Sequence, residues 1–598
     1  MAAHLPYTPT TMPAKSKPAD IALSWLTQFK TSLAALDVKG VTACFLNHGY
    51  LRDILVFTWS NRTLHGHAKI ASYLNDTLGG AGMKDMKLDN RKHLSPAYAP
   101  TTGTIVSGFT FETAVGPGQG YFYLSPSPSG EWKALSVFMM LGDIRGHEES
   151  GPESGIYGGH TLAWEDVERE RREKIEQDPH VLIVGAGQNG LNVAARFKAM
   201  NIPTLLIEKE ARVGDHAMLY KPYPQNWPIF TSRGKLAQWL EGYADSEDLV
   251  IWTKSQLLPT PRYDAAAKRW TVVVDRDGKH VTIRPKHIVM AAGTLGSPLF
   301  PAMKEPERFE GTILHSAHFQ GAAPFAGKRV VVVGAGNSAA DVCQDLVFHG
   351  AQSVTMIQRS STCVMAAKNS SAAQQRLWPE GVPTDIADFK ATAIPNLLMK
   401  QILRSREPAM WEAEKETHKG LREAGFKMSM GPEGAGPFLL MFEKFGGYCK
   451  YPRRRFRRVL TLSTVGIDVG CAELIRQGKV KVKQGVEPRS YTEDSIVFSD
   501  GSALPADVVI YATSYRSIRD DLRPLFTDAV IDQTSPLWGL DEEGELNGCY
   551  RSSGHPGLWF VAGNFAVSRF FSKQLALQIK AIELGLSKEH SSKLAAKL

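Results

Sequence analysis

Two unbroken apolar runs stand out of an otherwise mixed chain, Val181-Leu-Ile-Val184 and Val330-Val-Val-Val333. Runs this short and rich in β-branched residues predict strands buried on both faces, as in a parallel sheet. Each is followed by glycines and then by a helical pattern: Gly185-Ala-Gly187-Gln-Asn-Gly190 after the first, Gly334-Ala-Gly336-Asn-Ser-Ala339 after the second. Further apolar strands are predicted at Thr204–Ile207, His287–Gly293, Val354–Ile357, Val508–Thr513 and Leu558–Val561. The N-terminal part has a different rhythm. A helical pattern over Ile21–Leu36 precedes a short strand at Ile54–Trp59 and a second helix near Ala68–Leu78. Strand-like runs follow at Gly103–Thr113, Tyr121–Leu124 and Trp132–Leu141, separated by turns such as Ser125-Pro-Ser-Pro-Ser-Gly130.

These patterns divide the chain. Residues 20–147 form an α+β unit. Residues 148–178 hold a linker, Glu148–Gly159, rich in Gly, Ser and Glu, and a charged helix, Trp164–Gln177. A first dinucleotide-binding domain spans 179–325 and resumes at 491–585, with a second such domain, 326–490, inserted between. Chain crossings are expected where the apolar strands end in small residues, at Ala292-Gly293 and Ala512-Thr513. The run Gly557–Asn564 closes the first sheet at Gly563. A helix over Ser572–Leu584 then points its N-terminus at the cofactor.

In each fingerprint the first glycine makes the tight turn and the second admits a pyrophosphate. The third small residue lets helix and strand pack closely, so the helix N-terminus faces the phosphates. The next strand tells the sites apart. After Gly185, Gly187 and Gly190, the strand Thr204–Ile207 ends in Glu208, whose carboxylate accepts bonds from ribose hydroxyls and repels a 2′-phosphate. That suits the ADP half of FAD. After Gly334 and Gly336, the strand Val354–Ile357 ends in Gln358-Arg359-Ser360-Ser361. Arg359 can pair bidentately with a 2′-phosphate and Ser360 can add a bond, which suits NADPH over NADH.

At 598 residues, 43% hydrophobic and 22% charged, the chain has room for about three ordinary globular domains. A net charge of +8 is modest. The densest basic stretch, Arg453–Arg458, is read as a solvated or cofactor-facing patch rather than a nucleic-acid arm. No segment is apolar for long enough to span a bilayer, and Met1–Lys17 has no secretory core. Six scattered cysteines without CxxC or metal-ligand spacing suit a reducing, cytoplasmic setting. The ending Ala596-Lys597-Leu598 is a variant of a peroxisomal address, which makes that compartment the alternative. Adjacent Arg52 and Asp53 are expected to form a surface ion pair.

Between the fingerprints lies Phe309-Glu-Gly311-Thr-Ile-Leu-His315-Ser-Ala-His-Phe319. It resembles the FxGxxxHxxx(Y/F/W) signature of flavin-containing and Baeyer–Villiger monooxygenases. Gly336-Asn337-Ser338-Ala-Ala-Asp341 and Gln358-Arg-Ser360 resemble the same family. Over residues 20–585 the chain is similar to fungal, YUCCA-related flavin monooxygenases that carry an N-terminal SnoaL-like (nuclear-transport-factor-like) cone. The resemblance implies an α/β fold with two Rossmann-type domains, the NADPH domain inserted into the FAD domain, preceded by the α+β cone. It implies that NADPH reduces FAD and that O₂ adds to the flavin, whose C4a-hydroperoxide passes one oxygen to a small organic molecule. No catalytic side chain, metal or nucleic acid takes part, and a homodimer is compatible with it. Phe309, Gly311, His315 and Phe319 then couple the two domains, and Asp215 joins the FAD-binding residues.

The chain departs from the pattern in two places. After Asp215 the family has a Trp-Arg pair and a longer passage, whereas here His216–Lys221 runs almost directly into Pro222-Tyr-Pro224. Ser514 stands where glycine is common. The short passage predicts weak FAD binding and release of peroxide, and thus an alternative reading as an impaired paralogue acting as an NADPH oxidase or interaction protein.

Overall fold

The computed structural model describes residues 17–100, 102–157, 159–211, 219–221, 224, 227, 233–293, 295–431, 434, 436, 466–468 and 470–587. Asp215, most of the short passage after it, Arg453–Arg458 and Ala596–Leu598 lie outside the described residues.

The N-terminal unit has helices α1 (Pro18–Ala34), α2 (Val38–Ala43) and α3 (His67–Ala81). Its strands are β1 (Phe45–Ile54), β2 (Asn61–His65), β3 (Lys84–Leu88), β4 (Ala97–Ala99), β5 (Thr104–Glu112), β6 (Pro117–Pro126) and β7 (Trp132–Leu141). They form one sheet in the order β2-β1-β7-β6-β5-β3, with β4 beside β5. Side chains alternate across it. Val137 and Met139 pack towards the helices with Trp25, Phe29 and Phe122. Phe138 and Met140 face the other way, into a core shared with the first nucleotide domain.

Two expectations are corrected here. The strand predicted at Ile54–Trp59 ends at Ile54, because the Asp53 carboxylate accepts bonds from the Val56 and Phe57 amides and turns the chain. Arg52 and Asp53 are no surface pair, since both are buried and bond to different partners.

The linker also differs from its expectation. Its first residues are docked: Glu149 pairs with Lys573 at 2.8 Å and with Arg196, and the Ser150 amide donates to the Ala199 carbonyl at 2.7 Å. Beyond them come exposed residues and the charged helix α4 (Trp164–Gln177).

The first nucleotide domain is built on strands β8 (Val181–Val184), β9 (Thr204–Ile207) and β10 (Ile251–Trp252). Strands β11 (Ser255–Leu257), β12 (Arg262–Asp264), β13 (Arg269–Arg276) and β14 (Lys279–Ile283) make a separate antiparallel layer. With β15 (His287–Met290) and the late strand Leu558–Phe560, the main sheet runs β10-β9-β8-β15-(Leu558–Phe560), every pair parallel. Helix α5 (Gln188–Ala199) and the C-terminal helix (Phe565–Glu583) cover one face, and the β11–β14 layer covers the other.

The second sheet is also parallel. Strand β16 (Thr312–His315) lies beside Val508–Tyr511, followed by β17 (Arg329–Val333), β18 (Ser353–Gln358) and Val480–Gln484. Helix α7 (Asn337–Phe348) packs on it. The domain boundaries therefore shift: residues 312–325 and 491–511, assigned from sequence to the first domain, supply strands or flanks of the second. The crossings stay where small residues marked them, after β15 and after Tyr511. The C-terminal helix starts at Phe565 rather than Ser572, because the Asn564 side chain caps it by accepting from the Val567 amide at 3.1 Å.

Candidate dinucleotide sites

The strand ends carry the chemistry. At the first fingerprint, the Gly185 amide donates to the Ile207 carbonyl at 2.8 Å and φ is +107°. A side chain there would be strained, and its Cβ would lie 2.6 Å from the Ala291 carbonyl oxygen. Gly190 meets the turn even more closely, with a Cβ position 1.9 Å from the Gly185 oxygen. Gly187 is the opposite case. Its φ of −77° suits any residue, and no atom lies within 4 Å of its Cβ position. Two glycines thus serve the protein's own packing, and the third borders open space at the N-terminus of α5, where a pyrophosphate fits. Glu208, at the end of β9, turns its carboxylate to this loop and accepts the Ala186 amide at 2.8 Å.

The C-terminal helix begins against the same turn. The Gly563 carbonyl accepts from Gln188 Nε2 at 2.6 Å, and Asn192 Nδ2 donates to Ser568 Oγ at 3.0 Å. Gly563 has φ +120°, and its Cβ position is 2.7 Å from the Trp538 ring. At the ends of β15 and Leu558–Phe560 is a small crevice lined by Met290, Gly293, Leu537, Trp538, Cys549 and Phe560. It is largely apolar, and burial pushes the Cys549 thiol up to about 12. Sequence reasoning missed Leu537 and Trp538, which only the fold brings to the glycines, and the bond from Gln188 to Gly563.

The second fingerprint repeats the design. Gly334 has φ +132°, its amide donates to the Ile357 carbonyl at 3.0 Å, and a Cβ would lie 2.3 Å from the Ala512 oxygen. Gly336 caps α7, with Asn337 and Ser338 in its first turn and Ala339 buried. Gln358 is buried and holds the backbone of Lys427 through both ends of its amide, at 2.9 and 2.8 Å. Arg359, next to it, is exposed and 3.5 Å from Glu487, and Ser360 is half-buried. Glu487 also pairs with Arg489 at 3.6 Å, so Arg359 can leave it for a phosphate without stranding the carboxylate. The sequence did not reveal Glu487.

His315 ends β16, buried between aromatic rings on the two crossings: Phe300 at 5.5 Å and Tyr515 at 5.1 Å, both edge-on. Its Nδ1 accepts the Ala317 amide at 3.1 Å, and burial lowers its pKa. Phe309 packs on Tyr491 at 5.0 Å, and Phe319 stacks on Phe325 at 6.2 Å. Gly311 could carry no side chain, since a Cβ would be 2.5 Å from the Asp507 oxygen.

The fold assembles one group that spacing did not suggest. His180, His287 and Glu583 present ligand-type atoms within 4.8 Å of one another, at the sheet edge opposite the glycines. Trp559 Nε1 donates to His287 Nδ1 at 3.1 Å, so the neutral ring carries its proton on Nε2. A metal ion at either nitrogen would displace one of these hydrogens. The chemistry fits a proton-sharing cluster better than a metal site.

Residues 214–430 match the family described as Flavin-binding monooxygenase-like. The indole-3-pyruvate monooxygenase YUCCA1 of Oryza sativa subsp. japonica is 27% identical over 367 residues, 58% of this chain and 79% of that protein. A probable indole-3-pyruvate monooxygenase, YUCCA9 of Arabidopsis thaliana, is 24% identical over 382 residues, 60% of this chain and 79% of that one. An open cyclohexanone monooxygenase structure aligns with TM-score 0.45 and 15% identity, covering 68% of this chain and 88% of that one. The paired fingerprints on two parallel sheets, together with the family match and the two plant relatives, fit the class of FAD-dependent oxidoreductases. Within it, the chain is an oxidoreductase similar to the flavin-containing monooxygenases over residues 214–430. Among the described residues, Cys44, Cys343, Cys363, Cys471 and Cys549 are buried free thiols. Burial pushes the Cys44 thiol up to about 11 and the Cys363 thiol up to about 12, so they are poor candidates for a redox dithiol.

Proposed function

We propose that the chain is an NADPH- and FAD-dependent monooxygenase that places one oxygen atom from O₂ into a small organic substrate. The observation that carries this reading is the first fingerprint: Gly187 opens on free space at the N-terminus of α5, while Glu208 meets the same loop. The ADP part of FAD fits there, held by loop amides, helix N-terminus and carboxylate. Bound FAD would accept hydride and activate O₂.

This chain's own residues would bind, orient and exclude water. Arg359 and Ser360 would hold the 2′-phosphate of NADPH, and Gly336, Asn337 and Ser338 would present the N-terminus of α7 to its phosphates. Gly563 and the C-terminal helix would fix the far end of FAD. Trp538, Leu537 and Phe560 would keep the adjoining apolar crevice dry. His315, between Phe300 and Tyr515, would set the angle between the two domains at the crossings, while Phe309, Gly311 and Phe319 would seat the motif on the second domain. The N-terminal α+β unit is read as a SnoaL-like cone.

The test is visible flavin absorbance in the purified chain, with oxygenated product measured over a panel of amines, sulfides, ketones and indolic acids. Peroxide is counted separately. Product tracking NADPH consumption supports the reading. Peroxide equal to all NADPH consumed, for every substrate, replaces it with an NADPH oxidase.

A further inference from the structure

The inserted domain is joined to the first nucleotide domain by two crossings that bond to each other. The Leu299 amide donates to the Ser514 carbonyl at 2.9 Å, the Arg516 amide to Ser297 at 2.9 Å, and Thr513 Oγ1 to Leu299 at 2.8 Å. A short paired ribbon between two domains is a hinge geometry. Away from that ribbon the inserted domain sends back helices α9 (Thr384–Thr392) and α10 (Asn396–Ser405). Asp388 on α9 takes both bonds of the Arg569 fork at 2.8 Å, in the first turns of the C-terminal helix.

The N-terminal sheet closes this second contact. Phe138 from β7 lies between Phe389 of α9 at 5.4 Å and Phe570 of the C-terminal helix at 6.5 Å. Arg52 from β1 is 2% exposed; it donates from Nε and Nη2 to Glu545 at 2.7 and 2.8 Å, and from Nη1 to the Thr392 carbonyl at the end of α9. Glu545 also accepts from Thr63 Oγ1 at 2.6 Å. One guanidinium therefore fixes three bodies: the N-terminal sheet, the inserted domain through α9, and the first nucleotide domain through Glu545. Leu398 of α10 packs on Leu46, Tyr50 and Leu135, and Gln401 donates to the Tyr50 hydroxyl at 3.1 Å.

We infer that the N-terminal domain is a clasp that holds the inserted nucleotide domain against the first, with Arg52 as its positioning residue. A buried ion pair adds little net stability, because desolvation offsets most of its attraction. What the planar fork does supply is direction, with all three acceptors in fixed places. The end of the C-terminal helix that the clasp steadies, at Arg569 and Phe570, begins at Gly563 beside the first fingerprint. A loosened clasp would let the two nucleotide sites drift about the hinge. The inference leans on the proposed function only for its kinetic consequence.

The test uses the full chain with Arg52→Met, and Arg52→Met with Glu545→Met, which leaves no unpaired buried charge. Amide hydrogen exchange is read over 384–405 and, as internal reference, over β17 and β18. Arg52→Met should exchange about tenfold faster at 384–405 with the reference strands unchanged. The double variant should regain thermal stability yet keep the fast exchange, because the Thr392 contact stays lost. Exchange at 384–405 equal to wild type in both variants would overturn the inference, as would a uniform rise across the chain. So would full recovery in the double variant, which would reduce Arg52 to charge compensation. Exchange needs no turnover, so this result stands apart from the outcome of the substrate panel. In turnover, a drifting clasp should raise peroxide per NADPH while the NADPH KM stays within about twofold.

Discussion

Two glycines three residues apart should respond in opposite ways to a side chain. At Gly190, a Cβ would sit 1.9 Å from the Gly185 oxygen and 3.3 Å from the Ala291 Cβ. Ordinary carbon–oxygen contact needs well over 3 Å, so the turn or the helix would have to shift by more than an ångström. The turn is tied to β9 by the Gly185 amide, and the helix is tied back by the Leu191 amide to Gly187 at 3.0 Å. Forcing such a contact costs about 1–3 kcal/mol. Gly190→Ala should lower the urea midpoint of the flavin-free protein accordingly. Gly187→Val meets empty space, in an extended conformation that valine favours. The flavin-free protein should be as stable as wild type or gain about 0.4–1 kcal/mol from a less flexible unfolded chain. The same side chain would occupy the place of the pyrophosphate. Losing those charge-assisted bonds, about 1.5–3 kcal/mol, weakens FAD binding roughly tenfold to a hundredfold. The assay is urea unfolding without flavin beside flavin absorbance on titration. A Gly187→Val variant that keeps full flavin would show the two sites to be wrongly assigned. Equal destabilisation by both substitutions would show that the loop packs against protein rather than facing a ligand.

Arg359→Ala should raise the KM for NADPH more than tenfold and barely change that for NADH, a loss of about 1.5–3 kcal/mol; equal effects on both coenzymes would refute the 2′-phosphate role. His287 should make the protein acid-sensitive. Burial, then neighbouring His180, pulls its pKa from 6.5 down to about 3. The unfolded chain therefore binds more protons between those values, and the stability His287 contributes is whole above about pH 6.5 and lost as the pH falls towards 3, at up to about 1.4 kcal/mol per unit. Denaturant unfolding from pH 7 to 5 should show this slope, and His287→Asn should flatten it; an unchanged slope would place the acid limb elsewhere. Limited proteolysis should cut first within 151–157, the exposed part of the linker, and the nicked fragments should co-elute on gel filtration, because Phe138 and Met140 lie in the core they share. Fragments that separate would argue against that core and against the clasp.

Where a feature depends on consecutive residues, sequence alone determined it. Gly185, Gly187, Gly190, Gly334 and Gly336 lie within single strand–turn–helix units, where spacing translates directly into backbone geometry. Glu208 and Arg359 follow at the ends of the next strands because parallel neighbours end together at one sheet edge. Tertiary structure decided everything that joins distant segments. Arg52 and Asp53 look like a solvent-facing pair until two sheets close over them. The unbroken apolar run Val137–Leu141 is the local sign that both faces of β7 are covered, yet no pattern states that the second cover is a nucleotide domain. Glu545, Asp388 and Arg569 are ordinary charges in sequence. They become a joint only because burial makes an unpaired charge too costly, so each is held where a partner waits on another domain.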